Sequence, residues 1–348
     1  MNDPNGLVFF KGKYHAFFQH YPHAPHWGQM HWGHAVSDDL IHWEEKDIAL
    51  FPDQDYENDG GCFSGSAVVK DDILYLFYTS VSHEMGQTQS VAISKDGVVF
   101  EKYEGNPIIK SPLKDSKNFR DPKVFMYDGR YKMVVGAGED NIGKILLYGS
   151  DDLLSWDYEG ELVSDYLFGP CVECPDMFKI GDKYVLMFSS IKALPHRVNF
   201  SVGDFDGTKF TPDEGKANFP IETGPDFYAP QTFEAPDGRR IIIGWMYNWA
   251  RQVPVGKTQV GAFTIPREMC LDFDDNLCMR PIREVKPYVK KESEFVYYHD
   301  GLLNVVFEGK TILRKQLAFE PTMEVLEDVG VVEIFLNGGT DVITTYIC

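Results

Sequence analysis

Three acidic residues of this chain sit in settings that an ordinary surface acid lacks. Asp3 lies in Asn2-Asp-Pro-Asn-Gly6, Asp121 in Phe119-Arg-Asp-Pro122, and Glu173 in Val172-Glu-Cys-Pro-Asp176. Proline follows Asp3 and Asp121 directly and Glu173 after one intervening residue, which fixes φ and biases the preceding residues to extended geometry. For any one motif alone, a surface turn started by Asp-Pro is the simpler reading. Three such carboxyl groups meeting in one pocket would be costly unless they serve chemistry, because each charge raises its neighbours' pKa. Acetal hydrolysis is the reaction that two carboxyl groups of unequal pKa perform best. One attacks the anomeric carbon, while the other protonates the leaving oxygen and later deprotonates water. Asp3, followed by backbone donors at Asn5 and Gly6, reads as the low-pKa nucleophile. Glu173, with a longer arm and apolar neighbours Val172, Cys174 and Pro175, reads as the acid/base. Asp121 then binds two sugar hydroxyls, with Arg120 holding its charge in place.

The elements that would bring these residues together are visible as a repeat. A turn followed by a strand rich in Tyr, Phe and Val recurs in Gly12–Phe18, Asp72–Tyr78, Gly129–Val135, Asp182–Phe188 and Gly238–Gly244. With Tyr14, Tyr75, Tyr131, Tyr184 and Ile241 taken as equivalent, the steps are roughly 50 to 60 residues, the length of a four-stranded propeller blade. A second echo, Ser37–Trp43, Ser94–Phe100, Ser150–Trp156 and Asp204–Phe210, repeats a turn-then-aromatic pattern between members of the first. Aromatic and β-branched runs broken by Gly, Asp and Asn, without sustained helical periodicity, suit such blades. The expected fold is all-β: a five-bladed β-propeller over residues 1–285, followed by a short β-sandwich-like module over residues 286–348. Lys286-Pro-Tyr-Val-Lys-Lys-Glu-Ser293 reads as a linker, and Gly330–Gly338 as strands closed by an Asn-Gly turn. The small second module is expected to lean on the first. In a propeller the first strand of each blade lines the central channel. Counting back about ten or eleven residues from each aligned Tyr lands on Asp3, Ser64, Asp121 and Glu173, so three carboxyl groups should converge.

Composition narrows the function classes. Aromatic residues make up 14% of the chain, which suits strands and sugar binding and excludes disorder. The formal charge of -20 disfavours nucleic acid and anionic membrane surfaces as partners. No apolar run reaches membrane-spanning length, and Met1 to Gly6 lacks the pattern of a signal peptide, so a cytoplasmic location is expected. Cys62, Cys171, Cys174, Cys270, Cys278 and Cys348 are read as reduced, packed thiols. The Cys171-x-x-Cys174 spacing has no second pair of ligands to complete a zinc site.

Asn-Asp-Pro-Asn-Gly6, Phe63-Ser-Gly-Ser66, Arg-Asp-Pro122 and Glu-Cys-Pro-Asp176, in this order, resemble glycoside hydrolase family 32 from Asn2 to about Glu268, with weaker likeness beyond. The resemblance implies a five-bladed propeller with a β-sandwich, and a retaining hydrolase of terminal β-fructofuranosides: sucrose, sucrose 6-phosphate or short fructans. It implies Asp3 as nucleophile, Asp121 as transition-state stabiliser and Glu173 as acid/base. Asn2, Gln19, Trp27, Phe63, Ser64, Arg120 and Cys174 would line the fructose subsite, with Tyr228 and Trp249 as additions. No cofactor or metal is implied, and the partner is a small sugar taken up by a monomer or homodimer. The stretch His31–Leu40 looks most like the intracellular bacterial branch. His31 and His34 are read as packing around the first blade, and His15, His20, His23 and His26 as surface or rim residues, where a phosphate could be met. Family members carry a further strand ahead of the first motif and a larger sandwich. A fructosyltransferase, and an inactive sugar-binding protein favoured by the shorter ends, are the alternatives.

Overall fold

In the computed structural model, which describes residues 1–114, 117–193, 196–249 and 260–347, the chain is all-β with four short 3-10 turns. Five antiparallel sheets follow one another in simple up-and-down order. They begin with the strands Pro4–Phe10, Gly61–Lys70, Phe119–Tyr127, Glu173–Ile180 and Tyr228–Glu234, and the fifth ends at Pro281. Each of these first strands packs against the first strand of the next sheet, and the fifth returns to the first. Two three-stranded sheets follow, Val296–Gln316 and Met323–Tyr346.

Strand periodicity explains how one strand serves two interfaces. In Arg130–Glu139, Met133 and Val135 join the apolar cluster shared with the second sheet, while Val134 between them joins the cluster shared with the fourth. Because both faces are covered, the strand reads as a nearly continuous apolar run instead of a clean alternation. The repeat legible in sequence maps onto second strands, with one slip. Tyr14, Tyr131, Tyr184 and Ile241 are each second in their strand, but Leu74, not Tyr75, holds that place in Ile73–Ser82. The second echo joins third strands to fourth. The Asp39 carboxylate accepts from the Ile41 and His42 N–H groups, and Asp152 from Leu154 and Ser155 in the same way. These backbone donors lower both carboxyl pKa values.

The expected linker is partly structured: Arg283–Tyr288 is a 3-10 turn with Val285 buried. The last sheets are tied to the fifth by Arg267, which is wholly buried. Its guanidinium donates to Glu222 at 2.7 Å and to Glu333 at 2.6 Å, and it faces the rings of Phe227 and Phe335. Arg267→Met would leave two buried glutamates without a counter-charge, at a cost of about 3–5 kcal/mol. A denaturant titration monitored by Trp fluorescence should show that loss; a change below about 1 kcal/mol would mean that packing alone holds this junction.

Cys62, Cys171, Cys174, Cys270 and Cys278 are free thiols, and Cys348 lies outside the described residues. Among the described residues no helix is long and apolar enough to cross a membrane.

Candidate active site

All five first strands carry a β-bulge. Pairing slips by one residue between Asn5 and Val8, Phe63 and Gly65, Arg120 and Lys123, Glu173 and Asp176, and Tyr228 and Gln231. A bulge breaks the two-residue alternation and re-aims the side chains around it. Consecutive residues therefore face one cavity: Phe63 with Ser64, Arg120 with Asp121, and Glu173 with Cys174. Asp121, Cys174 and Ala229, each just before a proline, take left-handed backbone conformations with φ of 65°, 45° and 47°. The extended geometry expected before Pro122 is thus overridden by the bulge. Strain of this kind persists where the surrounding structure over-determines it. The bulges also correct the sequence register. Asp121 is equivalent to Cys174, and Glu173 to Arg120 and Tyr228, so the carboxylates converge from different positions.

The floor beneath the cavity is polar and cross-linked. Gln231 accepts from the Leu7 N–H at 3.1 Å and donates to Gly65 O at 2.7 Å, joining three strands. Lys123 lies 3.0 Å from Asp176, whose carboxylate also accepts from the Thr232 N–H at 2.8 Å.

The cavity holds about 1050 Å³ and is lined by Asp3, Asp121 and Glu173. Ser64 Oγ donates to Asp3 Oδ2 at 2.6 Å, and Asn2 Nδ2 to Oδ1 at 3.3 Å. Side chains hold this carboxylate, instead of the expected backbone donors at Asn5 and Gly6. Its pKa is raised, not low: burial dominates, the Ser64 hydrogen bond opposes it, and the nearby Glu173 charge adds to it. Asp121 accepts from the Cys174 N–H at 2.8 Å, and its own N–H donates to Thr79 Oγ1 at 2.9 Å. Burial first, then Asp3 and Glu173, push Asp121 up to about 7 against the pull of Arg120. Arg120 influences Asp121 through its charge, but the carboxylate to which it donates is Glu173, at Oε1 and 3.3 Å. Tyr228 hydroxyl donates to Glu173 Oε2. Glu173 is thus gripped by two polar partners, in place of the apolar surroundings expected from its sequence neighbours. The Cys174 thiol sits 3.6 Å from Asp121 and 3.8 Å from Asp3, and burial and these charges raise its pKa.

Gln19 is fixed by a bond from Nε2 to Cys62 O at 3.0 Å. The nine residues proposed from sequence as sugar contacts, Asn2, Gln19, Trp27, Phe63, Ser64, Arg120, Cys174, Tyr228 and Trp249, all line this cavity. Trp27, 66% exposed, and Trp249, 40% exposed, stand at its rim. Sequence reasoning missed Trp245 and Tyr247, whose rings stack at 4.0 Å beside Trp249. Their two-residue spacing, with buried Met246 between, was the available signal. It also missed the support beneath Arg120: Gln87 Oε1 accepts from Arg120 at 3.0 Å and from the Phe119 N–H at 2.9 Å.

His20, His23 and His26 line the cavity as expected of a rim, but His15 does not. It is buried with His34, their ring nitrogens 3.0 Å apart, because the Phe17 ring stacks against both. Burial lowers the His34 pKa to about 3. His31 is half-buried, its Nδ1 3.0 Å from Gln29 O. Among the described residues no group of three or more His, Cys, Asp or Glu is placed to hold a metal ion.

A pair of carboxyl groups sharing one cavity is an arrangement that glycoside hydrolases use. Residues 1–281 match the model of the glycosyl hydrolases family 32 N-terminal domain, and the chain belongs to that family. It is 40% identical over 321 residues to a sucrose-6-phosphate hydrolase of Zymomonas mobilis, covering 84% of this chain and 61% of that protein. It is 41% identical over 303 residues to a levanase of Bacillus subtilis, covering 78% and 43%. The chain thus spans about six-tenths of the length of the sucrose-6-phosphate hydrolases it matches. Among solved structures, a β-fructofuranosidase of Bombyx mori superposes with a TM-score of 0.84 at 28% identity, covering 100% of this chain and 86% of that one.

Proposed function

We propose that this chain is a retaining β-fructofuranosidase acting on sucrose, sucrose 6-phosphate or short fructans. The observation that carries the reading is the convergence of Asp3, Asp121 and Glu173 on one cavity in a family 32 chain. The relatives' names support the substrate class: sucrose-6-phosphate hydrolases, an Escherichia coli raffinose invertase and a levanase. In the proposed reaction an Asp3 carboxylate oxygen attacks the anomeric carbon of the fructosyl unit as Glu173 protonates the departing oxygen. The bond to the leaving sugar breaks and a fructosyl ester of Asp3 forms. Glu173, now ionised, takes a proton from water, whose oxygen attacks the same carbon and frees Asp3. Asp121, poised near neutrality, can both accept from and donate to fructose hydroxyls.

We read the five sheets as blades of a five-bladed β-propeller over residues 1–285, on the strength of the ring formed by their first strands. Residues 286–348 are then a short β module. Delivery of the fructosyl group to a sugar instead of water would use the same intermediate. A purely sugar-binding protein would have no need of all three carboxylates. The test is the release of free hexose from sucrose, sucrose 6-phosphate and short inulin in parallel, with products resolved by chromatography. Equimolar glucose and fructose from sucrose are expected. Fructose retained in longer saccharides would select the transferase, and folded protein that binds but turns nothing over would select the binding reading.

A further inference from the structure

The fifth sheet carries two thiols that the cavity does not use. Cys270 and Cys278 are Cα partners across the antiparallel strands Arg267–Leu271 and Leu277–Pro281, so their side chains leave the same face of the sheet. Two residues further along, the Asp272 N–H donates to Asn276 O at 3.0 Å, which makes that pair hydrogen-bonded. By the period of an antiparallel ladder, the Cys270 and Cys278 pair is hydrogen-bonded too. Opposed residues of that kind have Cα atoms about 5.5 Å apart, within the range that a disulfide spans, and Cβ atoms toward about 5.5 Å, wider than the usual span of about 3.5–4.5 Å, so a bridge here is a strained and readily reduced one. Each thiol also perturbs the titration of the other, as only near neighbours do. Cys278 is buried, whereas Cys270 is partly open to solvent.

We propose that Cys270 and Cys278 form a cross-strand dithiol that a small disulfide of the glutathione class oxidises to an intramolecular bridge. Cys270, the more accessible, attacks one sulfur of oxidised glutathione. A Cys270 Sγ–S bond forms, the glutathione disulfide breaks, and one glutathione leaves, taking up the proton that Cys270 gave to solvent. Cys278 then attacks Cys270 Sγ and expels the second glutathione in the same way. Two protein thiols lose two electrons in total, and one oxidised glutathione gains them to become two reduced molecules. Burial raises both thiols, Cys278 to about 11, so little thiolate is present at neutral pH and the bridge forms faster as pH rises. The strand that would be stapled also supports the C-terminal sheets, since Arg280 Nε donates to Gly338 O at 2.8 Å.

The test is to incubate the folded chain with oxidised glutathione at pH 7 and pH 9, block remaining thiols with iodoacetamide under denaturing conditions, and map the peptides. The expected product is a linked peptide pair joining Cys270 to Cys278, with a mass loss of ~2 Da. It should form faster at pH 9 and be reversed by dithiothreitol. Cys278→Ser should stop at a glutathione adduct on Cys270, and Cys270→Ser should give no linked product. Recovery of both residues alkylated, or of separate glutathione adducts with no link in the wild type, overturns the proposal.

Discussion

Asp3→Asn is expected to reduce kcat for sucrose by roughly 10⁴- to 10⁶-fold, the scale on which loss of a covalent nucleophile acts. That corresponds to about 5–8 kcal/mol of transition-state stabilisation. The amide is isosteric, and the Ser64 hydroxyl, which donates to Asp3 Oδ2 at 2.6 Å, can turn to suit it, so the fold and sugar affinity should persist. Rapid-quench measurement of the first turnover, with sucrose affinity by calorimetry, separates chemistry from binding. A mutant that retains a tenth of wild-type activity would remove Asp3 from the role of nucleophile. The pH profile follows from the same environment. As the proposed nucleophile Asp3 has to be ionised to attack, and burial raises its pKa, so the acid limb of kcat/KM should lie above that of an ordinary aspartate, at about 3.9. Activity falls as pH drops through the raised value and is regained as pH rises past it.

Glu173→Gln removes the proposed acid/base, so its expected effect depends on the leaving group. For sucrose we expect kcat to fall about 10²- to 10⁴-fold. For an aryl fructofuranoside whose phenolate departs without protonation, the first step should be nearly unimpaired, and the fructosyl-enzyme should accumulate because water is no longer activated. Azide, which needs no general base, should then restore turnover and yield a fructosyl azide. Arg120 and Tyr228 grip the carboxylate and can hold the glutamine amide as well, so lost folding should not mimic the result. Equal losses on both substrates, with no rescue by azide, would exclude Glu173 as the acid/base.

The carboxylates and the repeat were legible for one physical reason: a ring of similar sheets reuses the same turns and strand positions. The Asp39 and Asp152 turns leave that signature because their side chains must accept the same backbone N–H groups each time. The finer register was not legible. Asp121 lies ten residues before Tyr131 and Glu173 eleven before Tyr184, so a count of ten or eleven aligned the two, whereas the structure, with the same bulge in both strands, aligns Asp121 with Cys174. Nor could sequence neighbours report the local electrostatics. Val172 and Pro175 flank Glu173 in the chain, but its carboxylate meets Arg120 and Tyr228 from other sheets. The pairing of His15 with His34 was hidden for the same reason, since it requires Lys13–His20 and His31–Ser37 to lie side by side.

The five bulges act as a phase shift between two halves of each inner strand. On one side of the shift, residues such as Arg120 and Glu173 line the cavity; on the other, Lys123, Asp176 and Gln231 knit the floor. The two halves keep separate counts, so side-chain identity in the cavity can vary without disturbing the floor. Chain length cannot. Removing a single residue at Pro122 or Pro175 would restore unbroken alternation and turn one half outward by half a turn. The strand framework is therefore tolerant of substitution but intolerant of a change in spelling length, a frame held by geometry in the way a reading frame is held by triplets.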